Sequence, residues 1–201
     1  MPRGSRKGSK LQDTLNRQRT STAGFIRAYG MFWLRDEVDW KGADSAPYKE
    51  LLGRIGRNSP GFRMANFWDQ RGIYILYNDY GPYYVGKTVG HDMNLGRRLS
   101  HHYFGTNGSP HKGKWNRFSW FGWRATLGGV DKRGLRKLRR MPARLLADSR
   151  TSVQDIESLL IHALGTIHVA NGRRETFAAA MRWEQVLQSE RDHFLDKLTS
   201  H

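Results

Sequence analysis

Apolar residues in this 201-residue chain recur in two rhythms, and the change between them sets the expected order of elements. From Thr22, the positions Phe25, Ile26, Tyr29, Phe32 and Trp33 follow a spacing of three and four, which predicts a helix. Ser45 before Pro47 predicts the start of a second helix through "APYKELLGRIGR", because proline suits a first helical turn, and "NSPGF" ends it. The stretch "GIYILYNDYGPYYVGKT", residues 72–88, then switches to two β-branched and aromatic runs around the turn signal "YNDYGP" and predicts a hairpin. Residues 93–103, "MNLGRRLSHHY", read as a helix with Leu95 and Leu99 on one stripe. "WNRFSWFGWRATL", residues 115–127, reads as a strand apolar on both faces.

Beyond that strand the pattern is predicted to be helical again. Leu135, Leu138 and Met141 alternate with charges as on a surface helix. "TSVQDIESLLIHALG" starts a helix, with Thr151 and Gln154 or Ser152 and Asp155 as a capping box or its near relative. A last amphipathic helix is expected over about 174–199 through Phe177, Met181, Leu187, Phe194 and Leu198. The expected domains are a flexible basic arm at 1–21, an N-terminal helical extension at 22–68, and a main domain at 69–201 that includes a long basic segment and the C-terminal helix.

Charge changes the picture more than composition does. Thirty-four Lys and Arg against 18 Asp and Glu give a net charge of +16 and point to a polyanionic partner, with nucleic acid first among the candidates. Between Asp131 and Arg150 lie eight positive and two negative charges, net +6. Arg133, Arg136, Lys137, Arg139 and Arg140 in that segment, with Arg97, are the expected nucleic-acid contacts. No run approaches the ~20 apolar residues that span a bilayer, so no membrane partner is expected. The first residues, "MPRGSRKGSK", lack the apolar core of a secretory signal, which makes the cytoplasm the expected location. The absence of cysteine excludes disulfides, thiol nucleophiles and thiolate zinc sites. A zinc reading of "SHHY" with His111 fails for the same reason, and because His101 and His102 point in different helical directions. The oligomeric state is left open.

The candidate chemistry begins in the hairpin. Alternate residues of a strand share a face, so Gly72 and Tyr74 point one way, as do Tyr84 and Gly86. A register pairing Tyr74 with Tyr84 also pairs Gly72 with Gly86, leaving two phenols beside a bare patch of sheet where a phosphodiester could approach the backbone. Lys87 follows directly. The next helix offers Arg98 and His102, four apart and therefore on one face, with Arg97 as the alternative should the helix be rotated. Glu157 sits beside the apolar stripe of a later helix, and Asn171 begins a turn after it.

Taken in order, these residues resemble the GIY-YIG nuclease family: Gly72-Ile73-Tyr74, Tyr84-Val85-Gly86, Arg98, Glu157 and Asn171 stand where that family has its two triplets, arginine, metal-binding glutamate and asparagine. The resemblance covers about residues 70–173. "YYVGKT" with "NLGRRLSHHY" is similar to the nuclease domain of the bacterial excision-repair incision enzyme. His102, where many members have tyrosine, resembles the restriction endonucleases of the family.

The resemblance implies an α+β fold, with a small, mixed, largely antiparallel three-stranded sheet flanked by helices, and one-metal, in-line hydrolysis leaving 5′-phosphate and 3′-hydroxyl ends. Glu157 would hold Mg²⁺ or Mn²⁺, a role that suits a hard cation needing only one or two carboxylates. Arg98 would clamp the scissile phosphate and Lys87 would add positive charge. Tyr84 and His102 would jointly take the proton of the attacking water, Tyr74 would position water or the metal's shell, and Asn171 would orient the site. The expected function is a DNA endonuclease. The alternatives are a nuclease acting on RNA, or a binding module on the same scaffold without turnover.

Overall fold

The computed structural model describes residues 24–41, 49–58, 61–88, 93–140, 149–164, 177 and 179–199. The chain divides into two compact units, Met1–Phe25 with Ala143–Ala179, and Ile26–Pro142 with Ala180–His201.

The larger unit is built on one sheet. Its nine described strands are β1 (Ala28–Leu34), β2 (Leu52–Ile55), β3 (Arg63–Asn66), β4 (Gly72–Asn78), β5 (Gly81–Lys87), β6 (Arg117–Gly122), β7 (Thr126–Val130), β8 (Arg136–Leu138) and β9 (Met181–Gln185). They lie in the order β5-β4-β6-β1-β9-β2-β3-β8-β7. Neighbours run antiparallel except β1 with β9 and β3 with β8. Two helices belong to this unit, α1 (Leu95–Phe104) and α3 (Arg191–Thr199). In the smaller unit the described residues form α2 (Ser149–Leu164). Among the described residues no helix is long and apolar enough to cross a membrane.

The expected small three-stranded sheet flanked by helices is therefore corrected to a nine-stranded mixed sheet with three short helices among the described residues. The expected N-terminal helical extension contributes strands β1, β2 and β3 to that sheet. In β1 the register against β6 slips by one residue at a bulge between Gly30 and Trp33. The buried positions Ile26, Ala28 and Gly30 alternate as a strand requires, and of the residues that gave the helical spacing only Ile26 and Trp33 are buried. In "ELLGRIGR", pairing of β2 with β3 and β9 overrides the local spacing of Leu51, Leu52 and Ile55. The basic segment expected as a surface helix is a hairpin. Asp131 Oδ1 accepts the N–H groups of Arg133 (2.8 Å) and Leu135 (3.0 Å), folding "DKRG" into a turn. The expected C-terminal helix is confined to Arg191–Thr199, because Trp183 is buried in the core on β9. Thr151 and Ser152 lie inside α2 rather than capping it. The arm at 1–21 lies outside the described residues.

Tryptophan fills much of the core on the site's face of the sheet. Trp33 meets Trp120 edge-on at 5.4 Å, while Phe67 lies 4.5 Å from Trp120 and 5.0 Å from Trp183. The same cluster contains Tyr74 and Leu76 of β4 and Leu95 and Leu99 of α1, so α1 is seated on β4 by apolar burial. A second cluster of Leu52, Met64, Leu135, Val186 and Phe194 seats α3.

Candidate active site

The β4–β5 hairpin turns through Asp79 and Tyr80, with Asn78 paired to Gly81 and Asn78 Oδ1 accepting the Tyr80 N–H at 2.9 Å. A bulge at Tyr83 then shifts the register, so Leu76 pairs with Tyr84, Tyr74 with Gly86 and Ile73 with Lys87. The expected pairing of Tyr74 with Tyr84 and Gly72 with Gly86 is thus two residues out. Because two residues is one full pleat, Tyr74 and Tyr84 still share a face, and their ring centroids lie 6.1 Å apart.

The true register explains both motif glycines. The Tyr74 ring lies across Gly86, where a Cβ would come within 2.1 Å of the phenol oxygen. A Cβ on Gly72 would meet the Phe121 carbonyl oxygen at 1.9 Å.

Helix α1 brings the remaining groups. Asn94 caps it, accepting the Arg97 N–H at 2.8 Å and donating to Asp69 at 2.7 Å. Leu95, Leu99 and His102 face inward, and Arg98 lies one turn before His102. Arg98 Nε donates to the Tyr74 oxygen at 3.3 Å, and that oxygen lies 2.7 Å from His102 Nε2. Tyr74 and His102 are buried, at 0% and 1% exposure, while Tyr84 and Arg98 are half-buried. Tyr84, Lys87 and Arg98, with Ile73, Val85, Gly86, Met93 and Trp123, line an open pocket of about 640 Å³. The buried Tyr74–His102 pair stands behind that lining.

Electrostatics keep the imidazole neutral. Burial first, then His111, Arg98 and His101, push His102 down to about 3. Burial raises the Tyr74 phenol well above its ordinary value, against the opposing hydrogen bond from Arg98. The bond to Tyr74 raises Arg98 further. Unfolded His102 titrates near 6.5, so between pH 6.5 and 3 the unfolded chain binds a proton that the folded ring refuses, and stability must fall as pH drops through that window. The loss expected from this ring is at most about 5 kcal/mol. Denaturant midpoints measured from pH 6.5 to 4 should fall less steeply in His102→Gln than in the native protein; equal slopes would contradict a neutral buried ring.

Ser109 escaped the sequence reading, and His111 entered it only as a rejected zinc ligand. Ser109 Oγ is 2.6 Å from His102 Nδ1. His111 stacks at 4.2 Å over Tyr84, with its Nδ1 3.2 Å from the Tyr83 hydroxyl. Both come from the turn after α1, and the sequence signal was Gly105 and the following "TNG", which reverse the chain toward the helix.

The other expected residues lie apart from this cluster or outside the described part. Glu157 is in α2 of the smaller unit, and its side chain is outside the described residues, as is all of Asn171. Arg97 is exposed on the first turn of α1. Arg133 forms an ion pair with the buried Glu50, which also holds Arg191 at 2.8 Å. Arg136 donates to the carbonyls of Leu127 (3.3 Å) and Gly128 (3.0 Å). Lys137, Arg139 and Arg140 are exposed.

Among the described residues the pocket offers one phenol, Tyr84, and two cations, Lys87 and Arg98, and no carboxylate. This lining is not a binding set for a hard divalent ion, and the expected ligand Glu157 belongs to the other unit. No family model, curated protein or solved structure matches this chain significantly.

Proposed function

We propose that the chain is a nuclease of the GIY-YIG type that hydrolyses phosphodiester bonds in DNA by in-line attack of water. The observation that carries this reading is the meeting of Arg98, Tyr84 and Lys87 around one open pocket, backed by the buried Tyr74–His102 pair. Arg98 and Lys87 would seat the scissile phosphate, with the guanidinium donating to oxygens whose charge grows in the transition state. Tyr84 is the phenol that lines the pocket, so it is the one placed to contact the attacking water. Tyr74 is buried and engaged by both Arg98 and His102, so its part is to aim the guanidinium and to link the pocket to the neutral His102 ring.

Mg²⁺ or Mn²⁺ is the proposed cofactor and Glu157 its proposed ligand, on the strength of the family resemblance and not of the pocket's lining. A net charge of +16 favours DNA as partner, and the proposal places the enzyme in the cytoplasm.

The test is to incubate the purified protein in Mg²⁺ with plasmid, single-stranded, branched and RNA substrates and to map the ends. DNA cut to 5′-phosphate and 3′-hydroxyl ends is expected from the native protein, and no cutting from Glu157→Ala, which should still bind. Exclusive cutting of RNA would reassign the substrate. No cutting of any substrate would refute the enzymatic reading, and undiminished cutting by Glu157→Ala would refute the metal ligand.

A further inference from the structure

The turn after α1 doubles back on the helix. Gly105 leaves it with a positive φ of 74°, the N–H groups of Gly105 (2.9 Å) and Thr106 (3.1 Å) both donate to the His101 carbonyl, and the Ser109 N–H donates to the Thr106 carbonyl at 3.1 Å. This path delivers Ser109 Oγ to His102 Nδ1 and completes a row of four groups: Arg98, Tyr74, His102 and Ser109.

Each contact in the row constrains the next. A guanidinium N–H can only donate, so the Tyr74 oxygen is an acceptor toward Arg98, and His102 Nε2 lies within reach of the phenol's one hydrogen. A neutral imidazole accepting at Nε2 carries its hydrogen on Nδ1, and Nδ1 faces the Ser109 oxygen.

We propose that Ser109 is a positioning residue that holds His102 in the Nδ1–H form, with the Nε2 lone pair turned to the Tyr74 hydroxyl, so that the phenol donates to the ring and keeps its oxygen lone pairs for the Arg98 guanidinium.

The choice of a hydroxyl matters chemically. A carboxylate at Nδ1 would fix the same tautomer but would also draw the ring toward its charged form, whereas a serine fixes it without adding charge. The groups facing the ring agree: Tyr74 from β4, Tyr84 from β5 at 5.4 Å, Arg98 and His101 from α1, and Ser109 and His111 from the turn, His111 at 4.7 Å. None of these is a carboxylate.

The catalytic purpose of this orientation rests on the hydrolytic reading above; the tautomer does not. Long-range ¹⁵N–¹H spectra of the full chain at pH 7 should show His102 protonated at Nδ1 and bare at Nε2. Ser109→Ala should give a mixture of tautomers, and Ser109→Thr should restore the native pattern. Ser109→Asp should raise the pH at which His102 titrates. DNA cleavage should fall about tenfold in Ser109→Ala and recover in Ser109→Thr, the size of loss met when a histidine's orienting partner is removed. A native ring protonated at Nε2, or a Ser109→Ala spectrum identical to the native one, would overturn the assignment. If the tautomers behave as stated while the native protein cuts no nucleic acid, the positioning role stands and the hydrolytic reading fails.

Discussion

Arg98→Ala should lower single-turnover cleavage of DNA by about a thousandfold, the upper end of what loss of one donor to a developing oxyanion costs. Binding should change little, because one phosphate contact among many carries a small part of a counterion-driven affinity. The guanidinium has two jobs in this geometry. It borders the pocket where a phosphate would lie, and its Nε donates to the Tyr74 oxygen at 3.3 Å. Arg98→Lys should therefore rescue only part of the loss, since an ammonium supplies charge without the planar fork that can engage phosphate and phenol together. The checks are a rapid-quench rate and a binding titration on each variant at one salt concentration. Cleavage by Arg98→Ala within a few-fold of the native rate would remove this residue from the reaction.

The second large effect concerns the buried pair. Tyr74→Phe deletes the hydroxyl that bridges Arg98 and His102, and His102→Ala deletes the acceptor behind it. Each should cost about a hundredfold, the lower range for a positioned acid–base group. The double variant should be no slower than the worse single one, because two groups acting through one hydrogen bond form a unit and their losses do not add. Full additivity would mean that Tyr74 and His102 contribute separately. Folded stability has to be measured alongside, since both side chains are buried and Tyr74 is part of the main core.

What could be read from the chain was whatever local pattern decides. The hairpin, α1 and β6 carry their information in turn residues, in a three-and-four stripe and in a doubly apolar run. Tyr74, Tyr84, Arg98 and His102 therefore came together in the structure even though the hairpin register was two residues out. An error of one residue would have sent the phenols to opposite faces. The nine-stranded sheet was hidden because its identity lies in partners far along the chain. β1 pairs with β6 and β9, across gaps of about ninety and a hundred and fifty residues. Tyr29 and Phe32, apolar but not buried, also lent the segment a helical spacing. The basic segment misled in another way, since its charges drew attention from Asp131 and Gly134, the residues that turn it. Once folded, Arg133 is committed to Glu50 and Arg136 to two carbonyls, so sequence charge overstated what that hairpin offers to phosphate. Gly105 and "TNG" mark a turn, but nothing local tells that it returns Ser109 and His111 to a particular ring.

Cleavage of a phosphorothioate of known configuration in ¹⁸O-water, followed by stereochemical analysis of the 5′-thiophosphate, tests the account most directly. Water attacking in line beside Tyr84 predicts inversion at phosphorus. Retention would instead require a tyrosine to bond to phosphorus first, and would contradict the role given to this pocket.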